Sequence, residues 1–90
     1  MRLPVVRKAV VNVPELQPLR HAIDGIDEAL AGLLAARVVL SRRAQETKAR
    51  VGLPVLDRER ESEIGRRYEH AAQGCASVAR AILDWCRYEP

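Results

Sequence analysis

Phenylalanine is absent from this 90-residue chain, and aromatic side chains amount to one tryptophan and two tyrosines. About half the residues are nonetheless apolar, at 48%. The core must therefore be built from Leu, Val, Ile and Ala, which suits helices packed on helices. No apolar run is long enough to span a bilayer. Residues 1–13 carry charges and have neither a long apolar segment nor a clear cleavage site, so no signal peptide is expected and a cytoplasmic location is. Cysteine is confined to Cys75 and Cys86. On one helix these would stand roughly 16 Å apart, beyond disulfide reach. Neither belongs to a CxxC pair or a Cys/His cluster, so no zinc or other metal site is expected. There are no internal repeats and no low-complexity tract. The formal charge of +3 permits an anionic partner without specifying one. No dense basic stripe supports nucleic-acid binding.

What the chain does have is one very long helical segment. From Pro18 to Arg50 it carries no internal proline. Leu19, Ile23, Ile26, Leu30, Leu33, Leu40 and Ala44 recur at three- and four-residue steps, so one stripe is expected to face a core. Pro14 and Pro18 fit a helix entrance, and Gly52 with Pro54 fits its exit. Asp57 suits the N-cap of a second helix, whose inner face would carry Ile64, Tyr68 and Ala71. Gln73-Gly74 make a turn. A third helix from about Ala76 carries Val78, Ala79, Ile82, Leu83, Trp85 and Cys86. Residues 1–13 read as an arm and 14–90 as one helical domain.

The first helix would be roughly 50 Å long, whereas a compact chain of this size has a radius of gyration of about 12 Å. It overhangs what two short helices can cover. An all-α fold follows, with three helices per chain in an intertwined homodimer whose long helices pair.

Arg37 and Lys48 fall on the apolar stripe, and no acid shares it between them. A buried charge is costly unless paired, so an anion from outside the chain is the natural partner. Eleven residues separate the two, which leaves them about 20° apart around the helix axis. Ser41 and Ala44, both small, lie between them. Arg20 is about 25 Å from Arg37 along the helix and on another face, so only a partner subunit could receive it. Arg60 and Glu61, at the start of the second helix, point toward the interior or its edge. Arg37, Lys48, Arg60, a borrowed Arg20 and the acids Asp57 and Glu61 suit a small ligand with two carboxylates and a hydroxyl.

Residues 19–61 resemble the all-helical class of chorismate mutases. The resemblance rests on LRHAIDGIDEALAGLLAAR, on Lys48 eleven residues after Arg37, and on GLPVLDRERE. The spacing of Arg20, Arg37, Lys48, Asp57, Arg60 and Glu61 matches the family pattern without a gap. The short length is similar to the compact actinobacterial-type members.

The resemblance implies an isomerase that needs no cofactor, converting chorismate to prephenate in aromatic amino acid or related secondary biosynthesis. By that analogy Arg37 and the partner's Arg20 bind the substrate carboxylates, and Lys48 donates to the ether oxygen. Glu61 and the chain near Asp57 engage the ring hydroxyl, and Arg60 shapes the carboxylate site. Larger members place a Ser and then a Gln on the third helix. Here Arg87 or Glu89 falls near the Ser position and no Gln follows, so one ether-oxygen contact is expected to be missing or supplied differently, with Arg87 a candidate to close the pocket. Compact members can depend on the enzyme that starts the shikimate pathway, and such a partner stays open here. So does a mutase for 4-amino-4-deoxychorismate. An isochorismate pyruvate lyase shares the fold, but the Arg60-Glu61 pair argues for the mutase pattern.

Overall fold

The computed structural model describes residues 13–88, and among these it contains three helices and no strand. They are α1 (Leu16–Val51), α2 (Arg58–Ala71) and α3 (Cys75–Tyr88). The arm proposed for residues 1–13 lies, apart from Val13, outside the described residues, as does Glu89. No helix is long and apolar enough to cross a membrane. The chain divides into two units, Met1–Leu33 and Leu34–Pro90, and the division falls within α1.

In the first unit the described chain is the opening half of α1. The helix starts two residues before Pro18, so that proline sits in the first turn, where its missing N–H has no carbonyl to serve. Leu16 and Gln17 donate from their backbone N–H groups to the carbonyls of Val13 and Pro14. The predicted stripe is present, but in the single chain it covers nothing. Leu19, Ile23, Ile26, Leu30 and Leu33 are all exposed, Leu33 to 68%.

In the second unit α1 turns a different face inward. Val38 is buried, while Leu34, Ser41 and Gln45, at steps of three and four, are half-buried. Leu40, assigned to the core by its spacing, is exposed. The helix ends in a paired bond arrangement around Gly52, whose φ is 78°. Leu53 N–H donates to the Lys48 carbonyl at 2.8 Å and Gly52 N–H to the Ala49 carbonyl at 3.4 Å. A left-handed residue is required there, and glycine meets that need without strain.

Asp57 caps α2, its Oδ1 accepting from the Arg60 backbone N–H at 3.0 Å. Glu59 and Glu61 in the first turn complement the positive end of the helix dipole. A short turn through Gly74, φ 85°, connects α2 to α3, and the two pack as a helical hairpin. Ile64 from α2 and Ala79, Leu83 and Cys86 from α3 are buried with Val38. Ala71, Val78 and Trp85, which the spacing placed inside, are exposed instead. So small a core leaves much apolar surface uncovered in one chain. Cys75 and Cys86 are both free thiols on α3, Cys86 buried and Cys75 half-buried.

The hairpin turn is tied by a side chain from α2. Glu69 accepts from the N–H groups of Gly74 and Ala76 at 2.9 Å each, taking up donors at the start of α3. These two bonds, Gly74's first, hold its carboxyl below the ordinary value against slight desolvation. The folded chain therefore binds fewer protons here than the unfolded chain. This contribution is present above the ordinary carboxylate pKa and is lost as pH falls through the lowered one. Melting temperature should drop on acidification through that window. Glu69→Gln should lower it at neutral pH and flatten the acid slope, as read by circular dichroism melts at stepped pH.

Candidate active site

The second unit holds a cavity of about 300 Å³, within the size range of small-molecule sites. All three helices contribute to its walls. α1 supplies Arg37, Ser41, Gln45 and Lys48; the chain entering α2 supplies Asp57, then Arg60 and Glu61; α3 supplies Arg87. Ile64, Leu83 and Cys86 add apolar lining, so the charged heads stand beside a surface that excludes water. The α1–α2 loop forms a second depression of about 410 Å³, sharing Lys48 and Asp57. Its remaining lining is Leu53, Pro54, Leu56 and Arg58, with no wall from α3.

Six of the seven predicted site residues meet at the first cavity. Arg20 is not among its lining residues; it is exposed in the other unit. Among the described residues no acid pairs with Arg37 or Lys48. Lys48 Nζ donates to the Val55 carbonyl at 3.1 Å, which ties the α1–α2 loop to the helix and parks the ammonium at the cavity wall. Arg60 is more exposed than an inward residue would be. Its guanidinium reaches Glu63 at 3.4 Å, one turn along α2.

Glu61 differs most from its expected setting. Its side chain is only 13% exposed and lies between two arginines of α3. Oε1 accepts from Arg80 at 2.9 Å, and Oε2 accepts from Arg87, itself 11% exposed. Arg87 also reaches Asp84 at 3.2 Å. The α3 arginine expected to close the pocket thus holds the α2 carboxylate in the cavity wall. Breaking one member of so sheltered a pair leaves a desolvated charge. Sequence spacing placed Glu61 at the site but could not reveal this partner, which is 26 residues away in the chain.

Asp57 has two claims on it, as cap and as cavity wall. They can be separated. Asp57→Ala should cost about 1 kcal/mol of stability through the lost cap, whereas Asp57→Asn, an equally good cap, should melt near the parent. A fall in activity for Asp57→Asn at unchanged melting temperature assigns the carboxylate a role in the cavity.

Gln45 escaped the sequence reading. The signal was available: it lies four residues after Ser41 and three before Lys48, on a face otherwise given to small and charged groups. Its Oε1 is buried and has no hydrogen-bond partner.

The family model for chorismate mutase type II matches residues 19–88 of this chain. A T-protein of Enterobacter agglomerans is 45% identical over 64 residues, which are 69% of this chain and 17% of that protein. A bifunctional chorismate mutase/prephenate dehydratase of Aquifex aeolicus (strain VF5) is 46% identical over 50 residues, 56% of this chain and 14% of that protein. The chain thus spans less than a fifth of the length of these curated relatives. No solved structure matches it.

Proposed function

Because the chain belongs to the chorismate mutase type II family, we propose that the three-helix cavity binds chorismate and promotes its rearrangement to prephenate. The observation that carries this reading is a pair of cations, Arg37 and Lys48, on one wall of a cavity inside the matched region, with no acid partner among the described residues. A doubly acidic guest supplies the anions they lack.

In the rearrangement one ether C–O bond breaks as one C–C bond forms, in a single cyclic shift of electrons. No proton need be transferred and no nucleophile need attack. The protein's contribution is to hold the enolpyruvyl arm over the ring and to stabilise charge that builds on the ether oxygen. Arg37 grips a carboxylate. Lys48, drawn from the Val55 carbonyl, donates to the ether oxygen. Arg60 adds positive potential at the rim. Glu61 and the chain at Asp57 engage the ring hydroxyl, with Arg87 holding the Glu61 carboxylate in position.

The same reading includes a homodimer. The exposed stripe Leu19, Ile23, Ile26, Leu30 and Leu33 supports it, since covering a row of large aliphatic side chains is worth about 1.5–3 kcal/mol for each one fully buried. A second copy is the partner that a self-complementary helix face selects, and its Arg20 would complete the carboxylate site.

Initial rates with chorismate, 4-amino-4-deoxychorismate and isochorismate, measured side by side on the purified protein, test the assignment. Highest kcat/KM on chorismate is the expected result. A clear preference for either other compound reassigns the substrate. A rise on adding the synthase that opens the shikimate pathway would show a mutase that depends on that partner.

A further inference from the structure

A carboxylate on a cavity wall accepts a hydrogen bond from a hydroxyl or from an ammonium. Charge separates the two guests, because an ammonium taken out of water needs a negative charge to answer it. The charge of Glu61 is already answered. Its Oε1 accepts from Arg80 at 2.9 Å and its Oε2 from Arg87. Asp84 closes the group, reaching Arg87 at 3.2 Å and Arg80 at 3.8 Å. Two arginines and two carboxylates therefore balance. Glu61 and Arg87 are the sheltered members and both line the cavity, whereas Arg80 and Asp84 face outward. Asp57, the other carboxylate of the lining, stands at the positive end of α2, which offsets part of its charge. Arg37, Lys48 and Arg60 add three more cations to the walls. The lining thus offers lone pairs without a surplus of negative charge.

Resting on the mutase reading above, we infer that the Arg87–Glu61 pair, balanced by Arg80 and Asp84, selects a ring hydroxyl over a ring ammonium on the substrate, and that Arg87 is the residue that sets this specificity. A carboxylate has about four acceptor sites, so Glu61 keeps lone pairs beyond those its arginines take. A hydroxyl uses one of them and brings no charge. An ammonium uses the same one and meets the Arg87 guanidinium as a second cation on the same carboxylate. Arg87 acts through Glu61. Without its charge the group holds two carboxylates against one arginine, and the sheltered wall becomes negative. That change favours the ammonium and gives the hydroxyl nothing. Selection of this kind rests on a repulsive element as much as on an attractive one.

The test measures kcat/KM for chorismate and for 4-amino-4-deoxychorismate on the parent, Arg87→Met and Arg87→Lys, and reads the ratio between the two substrates. The parent should favour chorismate, and Arg87→Met should move the ratio at least about tenfold toward the amine. Arg87→Lys keeps the charge and should stay within about threefold of the parent's ratio. A merely structural role lowers both rates and leaves the ratio alone. The parent's rate on the amine, relative to chorismate, should also climb as pH rises through the pKa of the substrate's own amine, since the neutral form brings no charge. An unmoved ratio in Arg87→Met, a lysine variant that follows the methionine one, or a parent that prefers the amine overturns the inference. Should Arg87→Met not fold, Arg80→Met removes the exposed arginine of the group and should shift the ratio the same way by about threefold; no shift there overturns it equally. Failure of the parent to turn over either compound defeats the mutase reading and this one with it. Turnover of chorismate with a ratio indifferent to these arginines defeats this one alone.

Discussion

Lys48→Ala should lower kcat/KM at least about a hundredfold and leave the helices in place. Two effects of the substitution pull on different observables. Losing the bond from Nζ to the Val55 carbonyl, 3.1 Å in an exposed loop, costs about 1 kcal/mol of stability. Losing a preorganised donor at the oxygen where charge develops costs about 3–4 kcal/mol of barrier. The second effect dominates, so activity should collapse while the melting curve shifts by a few degrees. Steady-state kinetics and circular dichroism on the same preparation separate them. Activity near that of the parent would refute the role given to Lys48, and an unfolded variant would show that its loop contact outweighs its part in the chemistry.

The second large effect concerns Arg20. It lies in the other unit of the chain and outside the cavity lining. If it serves the pocket of a second copy, Arg20→Ala and Lys48→Ala are each nearly inactive alone but complement one another. In a mixed dimer, the Arg20→Ala chain keeps Lys48 in its own pocket and receives Arg20 from its neighbour. Random pairing of coexpressed chains should restore about a quarter of the parent's activity. Activity that stays at the level of the separate variants would place both residues in one chain's site, or place Arg20 in none. A monomer by sedimentation would likewise rule out a borrowed Arg20.

How far the sequence carried depends on what kind of contact each residue makes. Helix ends were legible because they are local: Gly52 before Pro54 and Asp57 before an acidic turn act within four residues of themselves. The clustering of Arg37, Lys48, Asp57, Arg60 and Glu61 was legible for the same reason, since helical spacing and one short loop bring them together. The direction of α1's faces was not. Its periodic stripe reads as core by apolarity, yet Val38 and Gln45, on another face, point inward in the single chain. A long helix with two apolar faces offers no internal cue to which neighbour takes which. Trp85 and Val78 failed similarly, because α3 is apolar on more sides than α2 can cover. The Glu61–Arg87 pair joins different helices, and only their packing reveals it.

If the cavity promotes the rearrangement of chorismate with Arg37 and Lys48 in the roles given them, the ultraviolet absorbance of chorismate falls once the purified protein is added at neutral pH. Disappearance at a rate proportional to protein concentration, with prephenate as the sole product, is expected. Decay at the rate of the protein-free solution, over the full range of protein concentration, would contradict the assignment.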